Sequence, residues 1–316
     1  MSQQFVEVID VAPRDGLQNE AQLVSTENKL ALIAALIAAR VPSIQTTSFA
    51  HPKWVPQMAD AEAIAQGLSK TSTVKFSALI LNFKGYERAV AAGFRRVDLA
   101  LSASETFHRR NTNQSTADSL KLLDLVGKAA ERDGVSFRVG IAVSFHCPFE
   151  GRTPVAAVVS HAREARARGA YKIGLSDTDG MAFPDQVSDA VAAVREETKI
   201  NSGDLILHFH DTYGRALANV SAGLDAGVRS YDASAGGLGG CPFCPAASGN
   251  VATEDLVAFV EGLGFVTGID MEKLLDAAEF ARRFCSRPYE GHLLKVLRPA
   301  HFTKWPHPPE QIQPNA

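Results

Sequence analysis

Cysteine is scarce in this chain. The four thiols in 316 residues, Cys147, Cys241, Cys244 and Cys285, are too few and too unevenly spaced for a disulfide framework. Only Cys241-Pro-Phe-Cys244 has a suggestive spacing. A zinc ribbon needs a second such pair, and a thioredoxin-like motif needs a small βαβ unit, whereas this pair sits in a glycine-rich loop. No run of about 18 apolar residues is present, so no membrane-spanning helix is expected. Positive charge is not in excess either: 32 Lys and Arg face 35 Asp and Glu, for a net charge of -3. Without a basic field nucleic acid is not an expected partner, although a small basic pocket for a phosphorylated ligand is compatible with this balance. The start, MSQQFVEVIDV, enters an apolar strand within a few residues and leaves no room for a targeting segment, so a cytoplasmic location is expected.

What the chain does have is an apolar strand, a polar loop and an amphipathic helix, repeated about eight times. The strands read FVEVIDV, SIQTTS, TVKFSALIL, RRVDLAL, SFRVGIAVSF, YKIGLSD, DLILHFH and VRSYDAS. Helical patterns follow them, for example from Thr26 to Arg40, from Thr116 to Asp133 and from Pro184 to Thr198. Strands buried on both faces point to a parallel sheet, and eight units close it, so the expected fold is α/β, a (β/α)8 TIM barrel with a C-terminal helical extension. An open doubly wound sheet fits less well, because polar residues follow nearly every strand, as a ring of loops around one mouth requires. The barrel domain is expected over residues 1–290, including a last helix from about Asp270 to Phe284. Residues 291–316 read as an extended or partly disordered extension ending in KWPHPPEQIQPNA, and no second domain is seen.

The stretch LILHFHDTYGRALANV concentrates polar chemistry at one strand end. His208 and His210 are two apart on a strand and therefore share a face. Alone, such a pair is more often structural. Asp15 after the first strand and Asn250 after the eighth would add a carboxylate and an amide at the same mouth. That mixed oxygen and nitrogen set, with two octahedral positions left open, suits a divalent cation such as Mg²⁺ or Mn²⁺, whereas zinc would favour sulfur or a third histidine. Arg14 is either a buried partner or a donor to a carbonyl oxygen that becomes an enolate. Cys241 follows a run of glycines and is either a small buried hydrophobe or a group carried by a closing loop.

APRDGLQNE, TTSFAHPKWVPQMAD, CPFEG, HFHDTYGRALANV and GLGGCPFCPAASGNVATEDLV together resemble the 3-hydroxy-3-methylglutaryl-CoA lyase family, among the metal-dependent lyase and Claisen-synthase barrels. The resemblance runs from about residue 5 to residue 285. It implies a retro-Claisen cleavage of 3-hydroxy-3-methylglutaryl-CoA to acetyl-CoA and acetoacetate, a step of leucine degradation and ketone-body formation. It implies metal ligation by Asp15, His208, His210 and Asn250, and catalytic roles for Arg14, Cys241 and Asp177. Gln18, Gln45, Ser48 and Asn82 are assigned to the substrate, and the partner is an acyl-CoA held by a dimer or tetramer of the chain. Lys53 and Lys84 are further rim positions for the CoA phosphates.

The chain departs from the family pattern at three places. Gln45 stands where the family usually has glutamate, Asp179 where an apolar residue is common (with Ser176 beside it where glycine is), and Cys244-Pro-Ala where small residues are usual. The first two open the alternative of a related branched 3-hydroxyacyl-CoA as substrate, and the third that of a regulatory Cys241–Cys244 disulfide. A condensing synthase would carry extra C-terminal domains, and a non-catalytic CoA-ester binder would not need the full set of polar residues.

Overall fold

Apolar residues at alternate positions of short strands need cover on the outside of a sheet, and helices supply it here. The computed structural model describes residues 4–68, 73–240, 249–284 and 291–297. Eight parallel strands form a closed barrel: β1 (Glu7–Asp10), β2 (Ser43–Ser48), β3 (Lys75–Leu79), β4 (Arg96–Ser102), β5 (Ser136–Ala142), β6 (Lys172–Asp177), β7 (Leu205–Phe209) and β8 (Ser230–Ala233). Each strand pairs with its sequence neighbours, and the ring closes where Glu7–Asp10 runs beside Ser230–Ala233. This is the (β/α)8 barrel expected from the strand–helix alternation.

Val8, Ile44, Val97, Val139, Ile173, Leu207 and Tyr231 belong to the large buried cluster shared with the surrounding helices. The inside of the barrel is different. Among the described residues its own apolar cluster is Ile9, Val11 and Ile206. Much of the rest is charged: Glu7 takes Lys172 and, at 3.0 Å, Lys75, while Arg138 lies between Asp98 and Asp232 at 2.8 Å from each. Buried charges persist when they are paired and hydrogen-bonded, and all of these are. Asp98 and Arg138 line two cavities, one of about 260 Å³ at the C-terminal mouth and one of about 210 Å³ towards the N-terminal end. They form the partition between the two.

Two elements were not apparent in the sequence. Helix Glu105–Thr112, ETFHRRNT, has no apolar stripe, and it is held by the Ser104 hydroxyl accepting from Phe107 N at 3.0 Å and by a Glu105–Arg109 pair at 2.7 Å. A small antiparallel pair, His146–Cys147 with Gly151–Arg152, follows β5. The expected last helix is Met271–Arg282. Beyond it, His292–Leu297 is helical, its first turn anchored by Asp255, which accepts from the N–H groups of His292 and Leu293 at 2.7 Å each. Residues 298–316 lie outside the described residues. No helix among the described residues is long and apolar enough to cross a membrane.

Candidate active site

The mouth is built from strand ends. After β1 the chain makes one wide helical turn, Ala12–Gly16, in which Gly16 N–H reaches the Val11 carbonyl at 3.1 Å. Such wide turns recur at functional sites because they aim consecutive side chains in unusual directions. Here they present Arg14 and Asp15 to the cavity. Beneath the turn, the buried Asp10 carboxylate accepts from Ala12 N at 2.8 Å, Ala235 N at 3.0 Å and Thr253 Oγ1 at 2.7 Å. One residue thus ties the β1 loop to the loop after β8. Burial, with the charge of Asp232, pushes its carboxyl up to about 6 despite those donors.

β7 supplies His208, and His210 stands just past its end, with the two rings 5.3 Å apart. The backbone of His210 is bridged to that of Asn250, with Val251 N donating to the Phe209 carbonyl at 3.0 Å and Asp211 N to that of Gly249 at 3.1 Å. This bridge brings Asn250 to the histidines. Glycine makes the approach possible: a Cβ on Gly249 would stand 1.8 Å from the Gly237 carbonyl oxygen, and one on Gly239, at φ +122°, would stand 2.4 Å from Asn250 Nδ2.

Asp15, His208 and His210 each offer one ligand atom, all within 4.8 Å of one another. Asn250 Nδ2 donates to Asp15 Oδ2 and to the Leu238 carbonyl, both at 2.9 Å, while its Oδ1 is buried without a hydrogen-bond partner. A buried carbonyl oxygen left unsatisfied beside a carboxylate and two imidazoles is what a cation site requires before a hard divalent ion binds. Burial alone would raise the Asp15 carboxyl, but Arg14, the two histidines and Asn250 outweigh it and hold the group far below the usual carboxylate range. Arg14 Nη1 lies 2.5 Å from Asp15 Oδ1.

Below this mouth a line of side chains crosses the barrel. Arg14 Nε donates to Gln45 Oε1, and Gln45 Nε2 donates to Asp98 Oδ2. Asp98 pairs through Oδ1 with Arg138 Nε at 2.8 Å, and Arg138 Nη1 with Asp232 Oδ1 at 2.8 Å. Asp232 Oδ2 faces His208 Nδ1 at 3.3 Å, which leaves Nε2 for a cation. Burial works against the Arg138 charge, yet Asp232 and Asp98 hold its pKa well above the ordinary arginine value.

Of the residues expected at the site, Arg14, Asp15, Gln18, Gln45, His208 and His210 line the cavity, and Asn250 stands behind Asp15. Ser48, Asn82 and Asp177 do not line it. Ser48 is buried with its hydroxyl accepting from Ala50 N at 3.2 Å, and Asn82 caps helix Phe83–Ala91 by accepting from Gly85 N at 2.8 Å. Asp177 is buried in the wall, where Oδ1 accepts from Ala182 N at 3.1 Å. Cys241 and Cys244 lie outside the described residues. The sequence reading missed Asp98, Arg138 and Asp232, as well as Phe107, Asn111 and Thr112 of the extra helix, which line the same cavity. A charged residue inside an otherwise apolar strand was the available signal, since a strand covered on both faces keeps a charge only if it is paired.

Burial first, and then the charge of Asp179, pushes the Asp177 carboxyl up to about 8. In the unfolded chain it would titrate near its ordinary value of 3.8. Between those two values the folded protein binds the extra proton, so stability contributed by this group is present at low pH and falls as pH rises towards 8. Asp177→Asn is therefore expected to raise the urea midpoint more at pH 8 than at pH 5. An equal change at both values would show that burial does not govern this carboxyl.

Residues 5–281 match the family model described as HMGL-like. The chain is 44% identical over 275 residues to the hydroxymethylglutaryl-CoA lyase, mitochondrial, of Bos taurus, spanning 87% of this chain and 84% of that one. It is 41% identical over 294 residues to the 3-hydroxy-3-methylglutaryl-CoA lyase, cytoplasmic, of Danio rerio, spanning 93% and 87%. A solved HMG-CoA lyase from Acinetobacter baumannii, in complex with coenzyme A and 3-methylmalate, superposes with a TM-score of 0.89 at 36% identity, over 96% of this chain and 98% of that one. The matched residues include every strand end that contributes to the mouth.

Proposed function

The chain belongs to the HMGL-like family, and from that premise we propose that its barrel mouth cleaves 3-hydroxy-3-methylglutaryl-CoA to acetyl-CoA and acetoacetate. It is a carbon–carbon lyase. The observation that carries the site reading is the convergence of Asp15, His208, His210 and Asn250 at the ends of three separate strands, with the Asn250 carbonyl oxygen left unsatisfied among them. These four would hold the cation, Mg²⁺ or Mn²⁺. Bound there, it would chelate the hydroxyl and carboxylate of the acyl group and lower the hydroxyl's pKa.

The residues of the chain perform the rest. A base removes the tertiary hydroxyl proton, the carbon–carbon bond breaks as the ketone of acetoacetate forms, and the electron pair passes to the thioester carbonyl as an enolate. Arg14 meets that developing oxyanion with a fixed charge and planar donors, already oriented by Gln45 and Asp15. Cys241 is proposed as the donor that protonates the enolate carbon, and Asp177 as a group that shapes the loop after β6 through Ala182 N. Gln18 at the cavity rim is proposed as a contact to the acyl group.

The coenzyme A bound by the Acinetobacter baumannii protein supports an acyl-CoA partner here. A cytoplasmic location is proposed, as for the Danio rerio relative, whereas the Bos taurus relative is mitochondrial. Assembly into a dimer or tetramer is proposed as well and is read by light scattering of the purified chain.

Incubation of the purified chain with 3-hydroxy-3-methylglutaryl-CoA and Mn²⁺ is expected to yield acetyl-CoA and acetoacetate in equal amounts, and chelation is expected to stop it. If the chain leaves this substrate intact while turning over another branched 3-hydroxyacyl-CoA, the substrate assignment is wrong and the alternative stands.

A further inference from the structure

We propose that Gln45 is a positioning residue that couples the orientation of Arg14 to that of the His208 imidazole, through the buried row Asp98, Arg138 and Asp232. The proposal rests on the reading of Asp15, His208 and His210 as a cation site. Gln45 is 1% exposed and uses both ends of its amide, the oxygen for Arg14 and the nitrogen for Asp98. An amide does not titrate, so it is neither acid nor base in the reaction. What it supplies is direction: an acceptor facing a guanidinium and a donor facing a carboxylate, in one rigid plane. A carboxylate at the same place would stand against Asp98 with like charge and would need a shared proton to remain there.

Beyond Gln45 each member has its best partners in the row. Asp98 divides its oxygens between Arg138 at 2.8 Å and the Gln45 amide, with Ser77 Oγ at 2.7 Å on the same oxygen as the amide. Arg138 is a planar fork, so its Nε and Nη1 cannot move independently, and Asp98 and Asp232 are fixed relative to each other. Asp232 then sets the ring of His208 through Nδ1 at 3.3 Å. Asp98 and Arg138 lie between the two cavities, and the three charged members are each less than a tenth exposed, at 3%, 8% and 9% for Asp98, Arg138 and Asp232. Asp98 and Asp232 share one guanidinium, so a shift of one carboxylate draws on the partner of the other, and a change at Gln45 is passed on rather than absorbed.

Mn²⁺ binding, followed by electron paramagnetic resonance on the purified full-length chain, tests this without reference to turnover. Gln45 has no place among the metal ligands, and a role confined to Arg14 and its partner Asp15 predicts that any effect of Gln45→Met on Mn²⁺ affinity multiplies with that of Asp232→Asn. The proposal predicts a loss of about three- to tenfold. Asp232→Asn is expected to cost about 10- to 100-fold as the direct partner of His208. The double variant should then be no weaker than Asp232→Asn alone, because the route from position 45 is already cut. Gln45→Asn, too short to reach both Arg14 and Asp98, serves if the methionine variant does not fold. Native affinity in both Gln45 variants, or effects that simply multiply in the double variant, overturn the coupling while leaving the cation site in place. Absence of Mn²⁺ binding by the native chain overturns the site reading itself, and the coupling with it.

Discussion

Arg14→Met is expected to lower kcat for 3-hydroxy-3-methylglutaryl-CoA by about 10³ with little change in KM. Loss of one donor to a developing oxyanion costs about 10² to 10³, and a fixed positive charge in a confined cavity belongs at the upper end of that range. The effect should fall on kcat because the charge it opposes grows only as the carbon–carbon bond breaks. Arg14 is already placed for this by two partners, Gln45 through Nε and Asp15 through Nη1. Arg14→Lys should recover only part of the loss, since an ammonium keeps the charge but not the planar arrangement that those two partners hold. Steady-state kinetics with saturating Mn²⁺ decide the matter. A kcat within tenfold of the native value in the methionine variant would remove Arg14 from the reaction and make it a partner of Asp15 only.

His210→Ala is expected to abolish turnover by about 10³ or more and to lower the bound metal measured on the purified chain. Chelation and hydroxyl activation together contribute several kcal/mol to a reaction of this kind, which corresponds to that factor. His210 is chosen over His208 because it is held by backbone pairing to the Asn250 segment rather than by the charged row. Its removal therefore leaves the Asp98–Arg138–Asp232 line in place, and urea melting should show a fold close to native. Retained metal with retained turnover would exclude the imidazole from the site. Retained metal with lost turnover would shift its role from ligand to proton carrier.

Local features of the site were legible in the sequence because they are short in sequence. His208 and His210 share a face by the period of a strand, Arg14 and Asp15 follow a strand directly, and the glycines before Asn250 announce a close backbone approach. Position alone was a poorer guide at Ser48 and Asn82. Asparagine at a strand end is also the start of a helix, and the structure uses Asn82 as a helix cap. Asp177 is the last residue of β6, yet its Oδ1 accepts from the Ala182 backbone and it does not line the cavity.

The sequence by itself determined the eight barrel strands, their order, and the end of the barrel at which the polar residues gather. These are consequences of periodicity and chain polarity: apolar residues repeat at the spacing of each element, and every loop after a parallel strand emerges on the same side. Only the tertiary structure decided which residues meet. Asp232 stands 94 positions from Arg138 and 24 from His208, and Gln45 stands 31 from Arg14 and 53 from Asp98. No local rule relates them, because their partners are chosen by the register in which eight strands close into a ring. That register sets the inward-facing side chains at common heights, so that an amide, two carboxylates and one guanidinium complete a line that none of their strands contains.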